Sequence, residues 1–131
     1  MTWTAISPTD VQMRTGLYSL AASAKGRMIF TAGIVSIDAA GQTIGLGNAE
    51  VQTTRVIETI RSILAEAGVK LEDVVHVQIF LRDLVDYAAV NEVYKRYFVP
   101  PYPARYCVQA ALVSPEWLVE IAVTAVVAED L

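Results

Sequence analysis

The apolar positions change period several times along the chain, and each change marks an element. Residues 28–37 form a nearly continuous apolar stretch rich in β-branched side chains, the pattern of a buried strand. Gly33 interrupts it, which predicts a bulge or the close approach of another group. After a loop over 38–47 the period becomes helical. Ile57, Ile60, Leu64 and Ala67 recur at three- and four-residue spacing between a candidate N-cap, Asn48, and a candidate C′ glycine, Gly68. Over 73–81 the period falls to two. Val75, Val77, Ile79 and Leu81 share one face, and Val74, His76, Gln78 and Phe80 the other. A second helix is predicted from a cap at Asp86 to about Phe98, with Tyr87, Val90, Tyr94 and Tyr97 on one face; Pro100, Pro101 and Pro103 prevent its continuation. Strands are then expected over 105–111 and 118–127, and a short one earlier, over 16–22.

The resulting order, β-β-α-β-α-β-β, predicts an α+β fold with a single-layer sheet and both helices on one of its faces. In the last strand Val119, Ile121, Val123, Ala125 and Val127 make an apolar face suited to the helices. The opposite face, Leu118, Glu120, Ala122, Thr124 and Val126, is still largely apolar, and no helix remains to cover it.

Composition sharpens that observation. The 131 residues fit one domain spanning 1–131, yet 54% are hydrophobic and only 18% charged, against about 25% charged in ordinary soluble domains. No stretch approaches the roughly 20 apolar residues of a membrane span, so the excess is expected to lie between copies of the chain. A net charge of −4 without a Lys/Arg cluster argues against a nucleic-acid partner. The single cysteine, Cys107, excludes an internal disulfide framework, and no metal-ligand spacing or phosphate-binding glycine loop occurs. The first residues lack a basic segment followed by an apolar core, so a cytoplasmic protein is expected.

Candidate chemistry concentrates near the end of the chain. In Pro103-Ala104-Arg105-Tyr106-Cys107, strand geometry puts Arg105, Cys107 and Gln109 on one face, expected to point away from the helices. An arginine there either forms a structural salt bridge or grips a carboxylate with its fork. Glu120 interrupts an apolar strand, where a charge is costly unless paired or functional. If the last two strands form a hairpin, Glu120 lies opposite Gln109, and Arg105 is on the order of 13 Å further along. The two then share a pocket only if a neighbouring copy supplies one of them. His76 has no motif around it and reads as a structural or surface histidine. Cys107 is either a nucleophile activated by Arg105 or a small buried hydrophobe. Ala32 and Gly33 offer backbone N–H groups to a ligand.

Several of these segments together resemble the RidA/YjgF family of reactive-intermediate deaminases, also called the L-PSP endoribonuclease family. They are Gly16-x-Tyr18, Phe30-Thr-Ala-Gly33, Gln52, Ala67-Gly68, Phe80-Leu-Arg-Asp83, Val90-Asn91-x-x-Tyr94, Pro103-Ala-Arg105-x-Cys107-Val108 and Glu120-Ile121. The resemblance covers residues 16–128. It implies a chorismate-mutase-like fold of the bacillus type, assembled as a homotrimer with active sites in the clefts between subunits. It also implies cofactor-free hydrolysis of small enamines and imines, such as 2-aminoacrylate and 2-iminobutanoate, to 2-keto acids and ammonia. Carried over, Arg105 holds the substrate carboxylate, the Cys107 backbone N–H supports it, and Glu120 positions the attacking water. Ala32 and Gly33 contribute to the wall, Tyr18 closes the pocket and Asn91 supports it. The archetypal branch has Ser-Gly-Gln where this chain has Ala32-Gly33-Ile34, and a glutamine where it has Leu20, so the pocket here is more apolar. A metabolite-binding module of the same fold that does not turn over its ligand, or a side-branch enzyme such as a 2-aminomuconate-type deaminase, fits the same residues. The family's ribonuclease label fits the acidic charge poorly.

Overall fold

The computed structural model describes residues 2–11 and 16–128. Its elements are β1 (Trp3–Ile6), β2 (Ala21–Ala24), β3 (Arg27–Phe30), α1 (Ala49–Glu66), β4 (Val74–Leu81), α2 (Tyr87–Tyr97), β5 (Ala104–Gln109) and β6 (Val119–Val127). Strands β3–β6 form a mixed sheet in the order β3-β6-β4-β5, parallel only between β4 and β5, and β1 pairs with β2 in a separate two-stranded sheet. Both helices pack on one face of the larger sheet. Val56, Ile57, Ile60 and Leu64 of α1 and Val90, Val93 and Tyr94 of α2 meet Val77, Ile79, Leu81, Val119, Ile121 and Val123 in one core. Among the described residues no helix is long and apolar enough to cross a membrane.

The helix boundaries follow from local chemistry. Asn48 accepts the Val51 N–H at 3.0 Å and caps α1. Ala67 ends the helix, and Gly68 follows at φ +77°, a conformation that suits glycine. Asp86 occupies the N-cap of α2 but makes no side-chain cap bond. Asp83 caps the 3-10 turn just before it, accepting the Val85 N–H at 2.9 Å.

Five details depart from the pattern-based expectations. The first strand, β1, has no strong periodicity, and β2 begins only at Ala21; in the described part of the segment before it, Ser19 makes a lone bridge to Ala104. The 28–37 stretch is not one strand. Thr31 N–H donates to Val123 O and Ile34 N–H to Ile121 O, so Ala32 and Gly33 occupy a space that holds one residue on β6, and the chain bulges there. A register shift between Val74 and His76 turns Val74 into the helix-side core and Val75 to the opposite face. On that face Val75 and Val126 pack with Trp3, so β1 covers one end of the surface expected to be bare. Finally, β5 and β6 are not a hairpin, because β4 lies between them.

Candidate functional site

Strand β5 is an edge strand, and its pairing with β4 decides where its side chains point. Arg105 is in register with Val77 and Cys107 with Ile79, both residues of the helix-side core. Arg105, Cys107 and Gln109 therefore do share a face, but Arg105 points toward the helices and not away from them. Its Nη2 donates to Asn91 Oδ1 at 2.6 Å and to Tyr87 Oη at 3.4 Å, and its guanidinium lies 4.6 Å from the centre of the Tyr94 ring. Tyr87, Asn91 and Tyr94 are spaced at four and three residues along α2, which places all three under one guanidinium.

Within the chain Arg105 has no carboxylate partner among the described residues, where the ion pairs are Arg61–Glu58 and Lys95–Glu92. Its Nη1 is buried and meets no well-placed acceptor among the described residues, an expensive state for a charged donor. The Tyr94 hydroxyl is also buried and makes no well-formed hydrogen bond among the described residues, with the Arg105 charge acting on it. Burial pushes this phenol far above its ordinary range, against the opposing pull of Arg105. Burial likewise raises the Cys107 thiol, and the nearby Arg105 charge only offsets this in part. A half-buried thiol held in its neutral form is a poor nucleophile.

Backbone direction adds a donor. Ala110 N–H donates inward to Leu81 O, whereas Pro103 O faces outward and accepts the Ser19 N–H. By the two-residue period of a strand, the Cys107 N–H faces outward at the open edge of the sheet, on the side where Arg105 begins. Ser19 Oγ donates to Tyr102 O at 2.6 Å, so the segment carrying Tyr18 runs along this same edge.

Glu120 belongs to a different place. It pairs with Phe80 and alternates with core residues Val119 and Ile121, so it lies on the face away from the helices. Gly33 of the bulge sits directly against it, and a Cβ at position 33 would collide with Glu120 Oε2. The structure thus brings Arg105, Asn91, Cys107 and the Tyr18 segment together, and separately brings Glu120 together with Ala32 and Gly33. Within one chain the two groups are separated by two strand spacings, about 10 Å, and by the thickness of the sheet. His76 stands in neither group; it packs edge-on against Tyr106. Sequence reasoning missed Tyr87 and Tyr94 as neighbours of Arg105, although their spacing to Asn91 carried the signal.

A comparison with known families decides the chain's kinship: the family described as Endoribonuclease L-PSP matches residues 11–127. The chain belongs to this family, the Rid/YjgF proteins. Among curated relatives, this Rid-family chain is 47% identical over 95 residues to the 3-aminoacrylate deaminase RutC of Acinetobacter baylyi, covering 72% of this chain and 75% of that protein. Among solved structures it superposes on the Rid-family protein YyfB of Yersinia pestis with a TM-score of 0.86 at 27% identity, covering 97% of this chain and 100% of the other. A YjgF-family protein of Neisseria meningitidis is 39% identical, with a TM-score of 0.69 and coverage of 90% and 92%. The α+β architecture of two helices on a mixed sheet is the one these structures share.

Proposed function

We propose that this protein is an enamine/imine deaminase that hydrolyses small 2-imino acids to 2-keto acids and ammonia. The observation that carries the reading is the Arg105 guanidinium: half-buried, aimed by Asn91 and Tyr87, and lacking any carboxylate partner among the described residues. Such a group is complementary to a small carboxylate, which takes two parallel N–H donors from one arginine. The outward Cys107 N–H is a further donor for the same carboxylate. The relative's activity supports the class, since 3-aminoacrylate is itself a small enamine bearing a carboxylate.

The chemistry asks little of the protein beyond placement. The carbon of a protonated imine is already electrophilic, so binding the carboxylate at Arg105 fixes that carbon in position. Glu120 accepts a proton from a water as the water's oxygen bonds to the imine carbon. The carbinolamine nitrogen then takes up a proton and leaves as ammonia, and the hydroxyl loses its proton as the carbonyl forms. No step needs a cofactor. Tyr18 closes the pocket, and Ala32 and Gly33 form its apolar wall beside Glu120.

The complete site is formed between copies of the chain, in a homotrimer. Two observations support this. Arg105 and Glu120 lie on opposite faces of one sheet, so a single copy cannot present both to one substrate. The face carrying Glu120 also leaves Phe30 of β3 73% exposed and, across the sheet on β5, Tyr106 and Val108 exposed, apolar surface of the kind that marks an interaction site.

A coupled assay tests the activity, with 2-imino acid generated in situ by an amino-acid oxidase and keto-acid release followed. The wild type is expected to accelerate hydrolysis, and Arg105→Ala to lose about 10- to 100-fold in kcat/KM, the worth of a charge-assisted hydrogen-bonded pair. Equal rates for the two proteins contradict the proposal. Stabilisation by a 2-keto acid that depends on Arg105 but comes without turnover identifies a binding module instead.

A further inference from the structure

Two polar side chains inside the fold have no part in the mechanism above, yet both hold one connection. Residues 110–118 cross from β5 to β6 without regular structure, so their backbone groups must find partners elsewhere. Arg82, just past the end of β4, supplies several. Its Nε donates to Trp117 O at 2.8 Å, and its Nη2 to Leu112 O at 3.0 Å and Ser114 O at 2.5 Å. Gln52, fully buried in α1, donates from Nε2 to Glu116 O at 3.0 Å and Gly45 O at 3.1 Å, and its Oε1 accepts the Leu118 N–H at 2.9 Å. The Arg82 backbone N–H closes the arrangement by donating to Leu118 O at 3.0 Å.

Leu118 is therefore held on both sides of its backbone, by the Gln52 side chain of α1 and by the Arg82 backbone N–H, while the Arg82 side chain holds the preceding carbonyl, Trp117 O. Two residues later comes Glu120. On its other side Ile121 is tied to the bulge by a reciprocal pair of bonds with Ile34, at 2.9 and 3.1 Å. We infer that Gln52 and Arg82 are positioning residues for Glu120, setting the place of its carboxylate against Gly33 by fixing the start of β6. The inference rests on Glu120 serving as the water-positioning group. Neither side chain is replaceable by an apolar one, because each satisfies backbone groups on more than one segment. A lysine at 82 has a single nitrogen and cannot reproduce the fork spread over three carbonyls.

The test uses the full-length protein in the imine-hydrolysis assay, with affinity for a 2-keto acid measured alongside. Arg82→Lys and Gln52→Met are expected to lower kcat about 10- to 100-fold, as displacement of a catalytic group by about 1 Å does. KM and keto-acid affinity, which report on Arg105, should stay within about twofold of wild type. A purely structural role would lower the amount of folded protein and leave kcat per folded molecule unchanged, which overturns the inference. Gln52→Met removes a buried network, so Arg82→Lys, at a partly exposed position and with its charge kept, carries the test if the first variant does not fold. Glu120→Gln separates the two levels. If it lowers kcat while Arg82→Lys does not, only the positioning role is lost. If Glu120→Gln turns over like wild type, the role of Glu120 and this inference are both overturned.

Discussion

Arg105 rests on an aromatic ring and an amide, with no acid beside it among the described residues. That arrangement keeps its charge available, whereas a neighbouring carboxylate would neutralise it. Asn91 aims the fork, so Asn91→Ala is expected to weaken 2-keto-acid binding by about 1.5–3 kcal/mol, the worth of a hydrogen bond to a charged group, read by calorimetric titration. Gly33 is needed for room, because the atom it faces is the end of a flexible carboxylate side chain. Gly33→Ala should therefore cost about 1 kcal/mol or less in stability yet lower kcat by displacing Glu120, a contrast visible in parallel melting and kinetic runs. Tyr94 makes a sharper point about solvation. Its hydroxyl is buried with no well-formed hydrogen bond among the described residues and with the Arg105 charge acting on it, so Tyr94→Phe should change stability by no more than about 1 kcal/mol. The pH dependence has a definite sign. Burial raises the folded-state phenol above its ordinary value of about 10, so above pH 10 the unfolded chain releases this proton while the folded chain keeps it. Stability contributed by Tyr94 is thus whole below pH 10 and declines as pH rises from there. Tyr94→Phe should lose that part of the alkaline decline in denaturant titrations at pH 9 to 11.

At the scale of elements, the helices were legible in the sequence because their signals are local. Asn48, Gly68 and the spacing of Ile57, Ile60 and Leu64 all act within a few residues of the boundaries they set. Asn48→Ala should accordingly cost about 1 kcal/mol, measured by urea unfolding. Strand order was not legible, because nothing in β5 or β6 specifies that β4 lies between them. That one non-local fact turned Arg105 from the expected outer face to the helix face. The 28–37 stretch failed differently: its apolar run is real, but Thr31 and Ile34 take the backbone bonds to β6 and leave Ala32–Gly33 as a bulge. Gly33 had announced that break. The Val74/Val75 reversal has the same cause, since one extra residue in a strand exchanges the faces of its neighbours. The site residues were readable as residue types in motif spacing, while their grouping depended on this topology.

For the whole molecule, the excess of apolar residues now has a location. Trp3 and β1 cover one end of the outer sheet face, at Val75 and Val126. The remainder, with Phe30, Tyr106 and Val108, stays open in the single chain. Burying one such side chain is worth about 1.5–3 kcal/mol, so, if the proposed trimer buries this face, Val108→Glu should give monomers in sedimentation runs. The same face carries Glu120, so assembly and catalysis are expected to fail together. The most direct test of the account is complementation between two inactive variants, Arg105→Ala and Glu120→Gln, unfolded together and refolded as mixed oligomers. If each site takes its arginine from one copy and its glutamate from another, random mixing should restore about a quarter of wild-type imine hydrolysis. A mixture no more active than either variant alone would contradict a site shared between subunits.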